Sequence, residues 1–262
     1  MLVAVIALLI LPLIAQQFGN AWVRIVDTAL LYVLLALGLN IVVGYAGLLD
    51  LGYVAFYAVG AYMFALLASP HLTETFPAIA AMFPNGLHMP IWVVLPLGAA
   101  LAGLAGVLLG SPTLKLRGDY LAIVTLGFGE IIRVFLANLE QPLNITNGPR
   151  GIGQIDSLSL FGWDLGKKWE LFGFEVPSVT NYYYLFLALV ILAIVICHRL
   201  ERSRIGRAWM AIREDEIAAR AMGINTRNLK LLAFGMGATF GGVAGVLFAT
   251  FQGFVSPESF SL

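Results

Sequence analysis

The sequence predicts an all-α polytopic membrane protein, with about seven transmembrane helices and a bent or re-entrant glycine-rich segment near 44–53. Three observations carry this. The 262-residue chain is 60% hydrophobic, with a mean hydropathy of +0.90. Only 11% of it is charged, against roughly 25% in a soluble domain. Its apolar residues fall in runs long enough to cross a bilayer, which takes about 20 helical residues. The single cysteine, Cys197, excludes an internal disulfide and any Cys-based metal cluster, and within an apolar run it reads as a packing residue. The 28 glycines suit closely packed membrane helices.

Leu2 to Phe18 form the first apolar run, interrupted by Pro12. A cleaved signal peptide competes with a retained span. No basic residue precedes the run and no clear A-x-A site is present, so a retained span is expected. The second span runs from about Ile25 to Ala46, with Arg24 and Asp27 at its start. The next stretch carries Gly44, Gly47, Gly52 and Gly60, with Asp50 between them. That density of glycine predicts a bent start to a third span ending near Ala68. Irregular backbone at membrane depth is tolerated only if it is buried in protein or lines a cavity.

Residues 69–89 form a polar loop with three prolines and no Lys or Arg. The fourth span, from about Pro90 to Gly110, places Gly98, Ala102, Gly106 and Gly110 at a four-residue period, a helix-packing face. A short connector brings Lys115, Arg117 and Asp119. The fifth span holds Glu130 and Arg133, three apart and able to pair. Charges inside a bilayer cost about 3 kcal/mol or more, so they normally face protein or water. A buried structural pair or snorkelling Arg, and a group near a translocation path, are both compatible with this position.

Residues 138–179 are the longest polar segment, and turn signals punctuate them. The sixth span opens with Tyr182, Tyr183 and Tyr184 at one interface and closes with His198 and Arg199 at the other. The seventh repeats a four-residue period at Gly237, Gly241 and Gly245, again a packing face.

Between the sixth and seventh spans lies a basic connector, His198 to Lys230. It holds eight of the 15 Lys and Arg residues: Arg199, Arg202, Arg204, Arg207, Arg213, Arg220, Arg227 and Lys230. With Lys115 and Arg117 that makes ten of 15, so by the positive-inside rule both connectors are cytoplasmic. The loops at 69–89 and 138–179 are then external and the N-terminus cytoplasmic. Arg207 to Met222 predicts a helix, rich in helix formers and free of proline. Ala208, Ala211, Ile212 and Ala219 give it an apolar stripe, Ile205 and Trp209 add bulk, and Gly223 with Asn225 ends it. It suits a helix lying on anionic lipid or one docked in a partner's groove. The acidic run Glu214, Asp215, Glu216 would be repelled by anionic lipid, which favours a protein partner.

The chain has no phosphate-cradling G-x-x-x-x-G-K-[ST] loop, no H-E-x-x-H and no G-x-S-x-G. The three histidines, His71, His88 and His198, are not spaced as metal ligands. Nothing points to catalysis, to a cofactor held by this chain or to nucleic acid.

The stretch IREDEIAARAMGIN resembles the cytoplasmic coupling segment of ATP-binding-cassette (ABC) importer permeases, where Glu-Ala-Ala is followed after three residues by Gly. Ala218, Ala219 and Gly223 match at that spacing; the first position is Ile217, with Glu216 one place earlier. The stretches LALGLNIVVGYAGLLDLGYVAFYAVGAY, LKLRGDYLAIVTLGFGEIIR, ITNGPRGIGQI, RIGRAWMAIREDEIAARAMGIN and GFVSPESF are similar to the M-type permease subunit of high-affinity branched-chain amino acid importers.

The resemblance implies a single permease domain over residues 1–262, in a bacterial inner membrane, that imports leucine, isoleucine or valine. It implies a second permease subunit as heterodimer partner, a periplasmic binding protein, and two ATPase subunits that carry ATP and Mg. Gly206, Arg213, Glu214, Asp215, Glu216, Ala218, Ala219 and Gly223 would then couple the chain to the ATPase. Gly44, Gly47, Asp50, Gly52, Tyr53, Thr125, Gly127, Gly129 and Glu130 are candidates for the translocation path. Related permeases carry urea, amides or other amino acids, and an ion-coupled secondary transporter is a further alternative. Family members continue past SPESF, so the chain is expected to be C-terminally short.

Overall fold

The computed structural model describes residues 2–84, 86–113, 116, 119–160, 163–171 and 174–260. Lys115 and Arg117 lie outside the described residues. The chain runs through α1 (Leu2–Gln17), α2 (Asn20–Asn40), α3 (Val54–Leu67), the short α4 (His71–Thr75) and α5 (Pro77–Met82), α6 (Ile91–Thr113) and α7 (Asp119–Asn138). After two ribbons come α8 (Ser178–Glu201), α9 (Arg204–Glu214), α10 (Glu216–Ala221) and α11 (Thr226–Gln252). The ribbons pair Ser159–Leu160 with Trp163–Asp164, and Trp169–Leu171 with Phe174–Val176, both antiparallel.

Among the described residues five helices are long and apolar enough to cross a bilayer: α2 extended to Tyr45, α6, α7, α8 and α11. The first and third expected spans correspond to the shorter apolar helices α1 and α3, so the count of seven spans is not confirmed among the described residues. The reason is clearest at α3. Its 14 residues reach about 21 Å at 1.5 Å per residue, because the chain before it is not helical. Residues Ile41–Tyr45 form a π-helical turn, and α3 starts only at Val54. The bent glycine-rich segment is therefore real, and it lies between the two helices.

Helix α11 is the centre of the bundle, with 61% of its apolar window buried against 28% for α6. The four-residue stripe on α6 packs against it: a Cβ added at Gly98 would lie 2.7 Å from Val246, and one at Gly106 2.6 Å from Ala238. The second stripe, Gly237, Gly241 and Gly245, meets Val42, Phe56 and Tyr57 on the other side. Small residues on two faces let α11 sit closely between its neighbours, where dispersion contacts replace the missing hydrophobic drive.

Pro12 has no N–H for the Leu8 carbonyl, and its ring crowds that oxygen. The Tyr183 hydroxyl donates to this carbonyl at 2.6 Å, and Tyr184 donates to Leu9 at 3.1 Å. Tyr182, also buried, accepts from Leu158 N–H at 3.1 Å. The three tyrosines thus tie α8 to α1 and to the 138–179 segment. That segment is also held to the chain after α11 by reciprocal bonds between Ile152 and Val255, at 2.8 and 2.9 Å. Arg24 and Asp27 part company: Arg24 reaches Gln252 at 3.1 Å, while Asp27 is fully buried.

Candidate functional site

The basic connector folds back onto one end of the bundle. Ser203 caps α9, accepting from Gly206 N–H at 3.1 Å. Gly206 sits directly on the last turn of α8, where a Cβ would strike the Leu200 carbonyl. Trp209 is completely buried and its indole N–H donates to the Leu229 carbonyl at 2.7 Å, pinning α9 to the start of α11. Ile212 completes the buried face. Ala208 and Ala211 flank it, while Ile205 is exposed.

The single helix expected over 207–222 is two helices. Asp215 breaks it with φ −153° and ψ 109°, and its carboxylate accepts from Ile217 and Ala218 N–H at 2.8 and 3.1 Å. An aspartate at this point satisfies the orphan donors of a new helix better than it continues an old one. The acidic run therefore does not act as a block of charge. Asp215 is a cap, and Glu216 turns inward to Lys230 at 2.7 Å and to Arg220 at 3.1 Å. Burial pushes the Glu216 carboxyl up, but Lys230, Thr226 and Arg220 together hold it below the usual carboxylate range. Glu214 stays exposed. Ala219 is buried, Ala218 is exposed, and Gly223 ends α10 at φ +84°, the left-handed cap that favours glycine.

The outer face of α10 is apolar. Ile217 is 71% and Met222 82% exposed, so neither is used to hold the connector in place. Sequence reading missed this pair, because its stripe was drawn on one continuous helix and the break at Asp215 rotates Ile217 outward.

The glycine-rich segment meets the connector from the membrane side. Arg213 donates to the Gly44 carbonyl at 2.6 Å, and a Cβ at Gly47 would lie 2.7 Å from the Arg213 side chain. A cavity of about 210 Å³ opens between them, lined by Gly47, Leu48, Ile212, Arg213, Glu216 and Lys230. Further along, Leu51 N–H donates to the Thr125 hydroxyl at 3.0 Å. Gly52 lies against the Thr125 carbonyl, and its Cβ would come within 3.3 Å of Gly129 N. Asp50 is buried, with one oxygen accepting from Gly52 N–H at 3.0 Å and the other without a hydrogen-bond partner. Tyr53 donates to the Gly237 carbonyl at 2.8 Å.

The structure thus brings the two candidate path stretches together, but not every residue in them. Asp50, Gly52, Tyr53, Thr125 and Gly129 are buried inside the subunit, and Asp50, Gly52 and Thr125 line a cavity of about 10 Å³ there, room for one water. Gly127 and Glu130 point the other way, on the outer face of α7, and Glu130 pairs there with Arg133. Charges at mid-span were expected to face inward or to meet water, and on this chain alone they are at its surface. Among the described residues no group of three His, Cys, Asp or Glu side chains is gathered as a metal site.

A multi-pass helical membrane protein, with a rigid two-helix connector clamped to a broken membrane helix, is the class these features define. The chain belongs to the family described as branched-chain amino acid transport system permease component, whose profile matches residues 22–262. It is 44% identical over 270 residues to the high-affinity branched-chain amino acid transport system permease protein LivM of Escherichia coli, covering 98% of this chain and 59% of that protein. It is 47% identical over 251 residues to LivM of Salmonella typhimurium, covering 91% of this chain and 55% of that protein. The permease protein LivH of the same name series in Salmonella typhimurium is 27% identical, covering 86% of this chain and 68% of that protein. The chain spans a little over half the length of the LivM relatives. No solved structure matches it.

Proposed function

We propose that this chain acts as a permease domain of an ABC importer that carries branched-chain amino acids across a bacterial inner membrane. It is a transport subunit, and ATP with Mg is held by two separate ATPase subunits. A periplasmic binding protein delivers substrate, and a second permease subunit completes the membrane unit. LivM and LivH being named as permeases of a high-affinity branched-chain system supports a heterodimer. The basic connector then faces the cytoplasm with the N-terminus, and the loops at 69–89 and 138–179 face outward.

One observation carries this reading. The α9–α10 unit is locked to the membrane bundle on its inner side yet leaves Ile217, Met222 and Glu214 free on its outer side. A helix that offers apolar anchors to solvent from a rigid mount is built to dock in a groove. In this proposal Gly206, Arg213, Asp215, Glu216 and Ala219 hold the unit's shape. Glu214, Ala218 and the Gly223 cap stand on the ATPase side. Motion there passes from Arg213 to Gly44 and Gly47, and through Asp50, Gly52 and Tyr53 to Thr125, Gly129 and α7. Gly127 and Glu130 then line the path itself.

The test is uptake in proteoliposomes by the assembled complex. Leucine accumulation that requires ATP and the ATPase subunits is expected. Accumulation driven by an ion gradient without those subunits would replace this reading with a secondary transporter.

A further inference from the structure

The outer face of α7 holds a feature that the packing of this chain leaves unexplained. Glu130 is the eleventh residue of the 19-residue apolar window Tyr120–Asn138, at its middle. Arg133 Nε donates to both Glu130 oxygens, at 3.1 and 2.9 Å, and Nη2 donates to Oε1 as well. Their side chains are 49% and 34% exposed. Around them the surface is apolar, with Ile123, Leu126, Ile131, Val134 and Phe135 all exposed. Gly127, one turn before Glu130, opens onto space: an added Cβ there would meet no atom within 4 Å. Glu258, after α11, is close enough to act on Arg133 electrostatically.

Acyl chains are an unsuitable neighbour for such a pair, since each charge at mid-bilayer costs about 3 kcal/mol or more. The face therefore looks onto protein or a polar path. The pair is also only half used. Arg133 commits Nε and Nη2 to Glu130, leaving its Nη1 edge for a second acceptor, and a carboxylate has more lone-pair sites than these bonds fill. A bound zwitterion fits both vacancies together. Its carboxylate takes the free edge of the guanidinium and its ammonium takes the free side of Glu130, giving four charges of alternating sign. A zwitterion adds no net charge, so filling the site leaves the balance among Glu130, Arg133 and the nearby Glu258 unchanged. The apolar neighbours suit an aliphatic side chain.

We infer that the Glu130–Arg133 pair is a two-point recognition site for the ammonium and carboxylate of a zwitterionic α-amino acid with an apolar side chain. The inference rests on the permease reading above and deepens it. It separates substrates that the sequence left open: urea and simple amides carry neither charge and gain nothing from this pair.

The test uses the assembled transporter in proteoliposomes, reading ATP-driven leucine uptake. The double variant Glu130→Gln/Arg133→Met keeps side-chain volume and leaves no lone charge. Losing two charge-assisted bonds at about 1.5–3 kcal/mol each predicts a fall of about 100-fold or more in kcat/KM, with ATP hydrolysis retained. Uptake by the double variant within threefold of the unsubstituted complex would overturn the inference, because a merely structural pair tolerates neutral replacement. If the double variant does not assemble, Arg133→Lys keeps the charge but loses the planar fork. A KM for leucine raised about tenfold with the maximal rate kept then supports the site, and an unchanged KM overturns it. If the unsubstituted complex shows no ATP-dependent leucine uptake, the permease reading fails first and the inference falls with it.

Discussion

Arg213 and Gly44 are 169 residues apart in sequence and are joined by a 2.6 Å hydrogen bond, guanidinium to carbonyl. The carbonyl is free because the α2 helix and its π-helical turn end at Tyr45, and the last carbonyls of a helix have no helical donor. A positive charge is favoured at such a terminus. This bond ties the connector to the broken membrane segment.

Replacing Arg213 with methionine keeps the aliphatic stem over Gly47 and removes the bond. Hydrogen bonds to charged groups contribute about 1.5–3 kcal/mol, enough to loosen the link while leaving Trp209 and Ile212 packed. Arg213→Met is expected to keep ATP hydrolysis in the assembled complex and to lower leucine transported per ATP. A ratio equal to that of the unsubstituted protein would count against transmission through this bond.

Gly52 and Gly127 make an internal control. A side chain at Gly52 lands on the Thr125 backbone, which cannot give way as a flexible side chain can. Overpacking of this kind costs about 1–3 kcal/mol, so Gly52→Ala should lower the melting temperature in detergent. Gly127→Ala meets no atom of this chain and improves helix propensity by about 1 kcal/mol. Its melting temperature should be equal or higher. A reversed order would contradict the packing of the segment before α3 on α7.

Gly223 needs its conformation and not its small size. Nothing lies within 4 Å of a Cβ there, yet its φ is +84°. A left-handed alanine costs about 1–2 kcal/mol, asparagine less, and proline cannot adopt that φ at all. Thermal stability should fall in the order Gly, Asn, Ala, Pro, and equal melting temperatures for Gly and Ala would show that the cap is not strained.

Ile217 and Met222 should behave in the opposite way. Their exposure means that Ile217→Ser/Met222→Ser leaves the fold untouched. If the ATPase docks here, truncating two apolar anchors should weaken its binding by about 10- to 100-fold, the range of interface hot spots. Titrating purified ATPase onto the permease, with circular dichroism as the folding control, gives the answer. Unchanged affinity would move the docking face elsewhere.

The Glu216–Lys230 pair carries a pH signature. Glu216 titrates below its ordinary value in the folded chain, so the contribution is complete above the usual carboxylate pKa, about 4.3. It is lost as pH falls through the lowered value. Melting temperature measured down an acid series should fall less steeply for Glu216→Gln than for the unsubstituted protein. Parallel curves would show that the pair adds nothing.

Much of the helical plan was legible because lipid imposes a simple rule: every backbone group must be satisfied within its own segment. Apolar length then marks α2, α6, α7, α8 and α11, and a strict glycine period marks the α6 and α11 faces. The break before α3 was legible from Gly44, Gly47 and Gly52. The break at Asp215 was not, since helix propensity over 207–222 is high throughout and only the cap bonds to Ile217 and Ala218 oppose it. The roles of Tyr183 and Tyr184 were hidden for a related reason: their partners, Leu8 and Leu9, are 175 residues away.

By itself the sequence determined that this is a helical membrane protein with one large basic connector. Those properties are local, set by composition, spacing and charge along a few tens of residues. Tertiary structure alone decided which charges are structural and which are presented. Asp215 and Glu216 are absorbed by a cap and by Lys230, Arg213 is turned into the membrane segment, and Glu130 with Arg133 is left on the outer face of α7. The partner of a charged group is chosen by whichever distant segment folds against it, and no spacing along the chain records that choice.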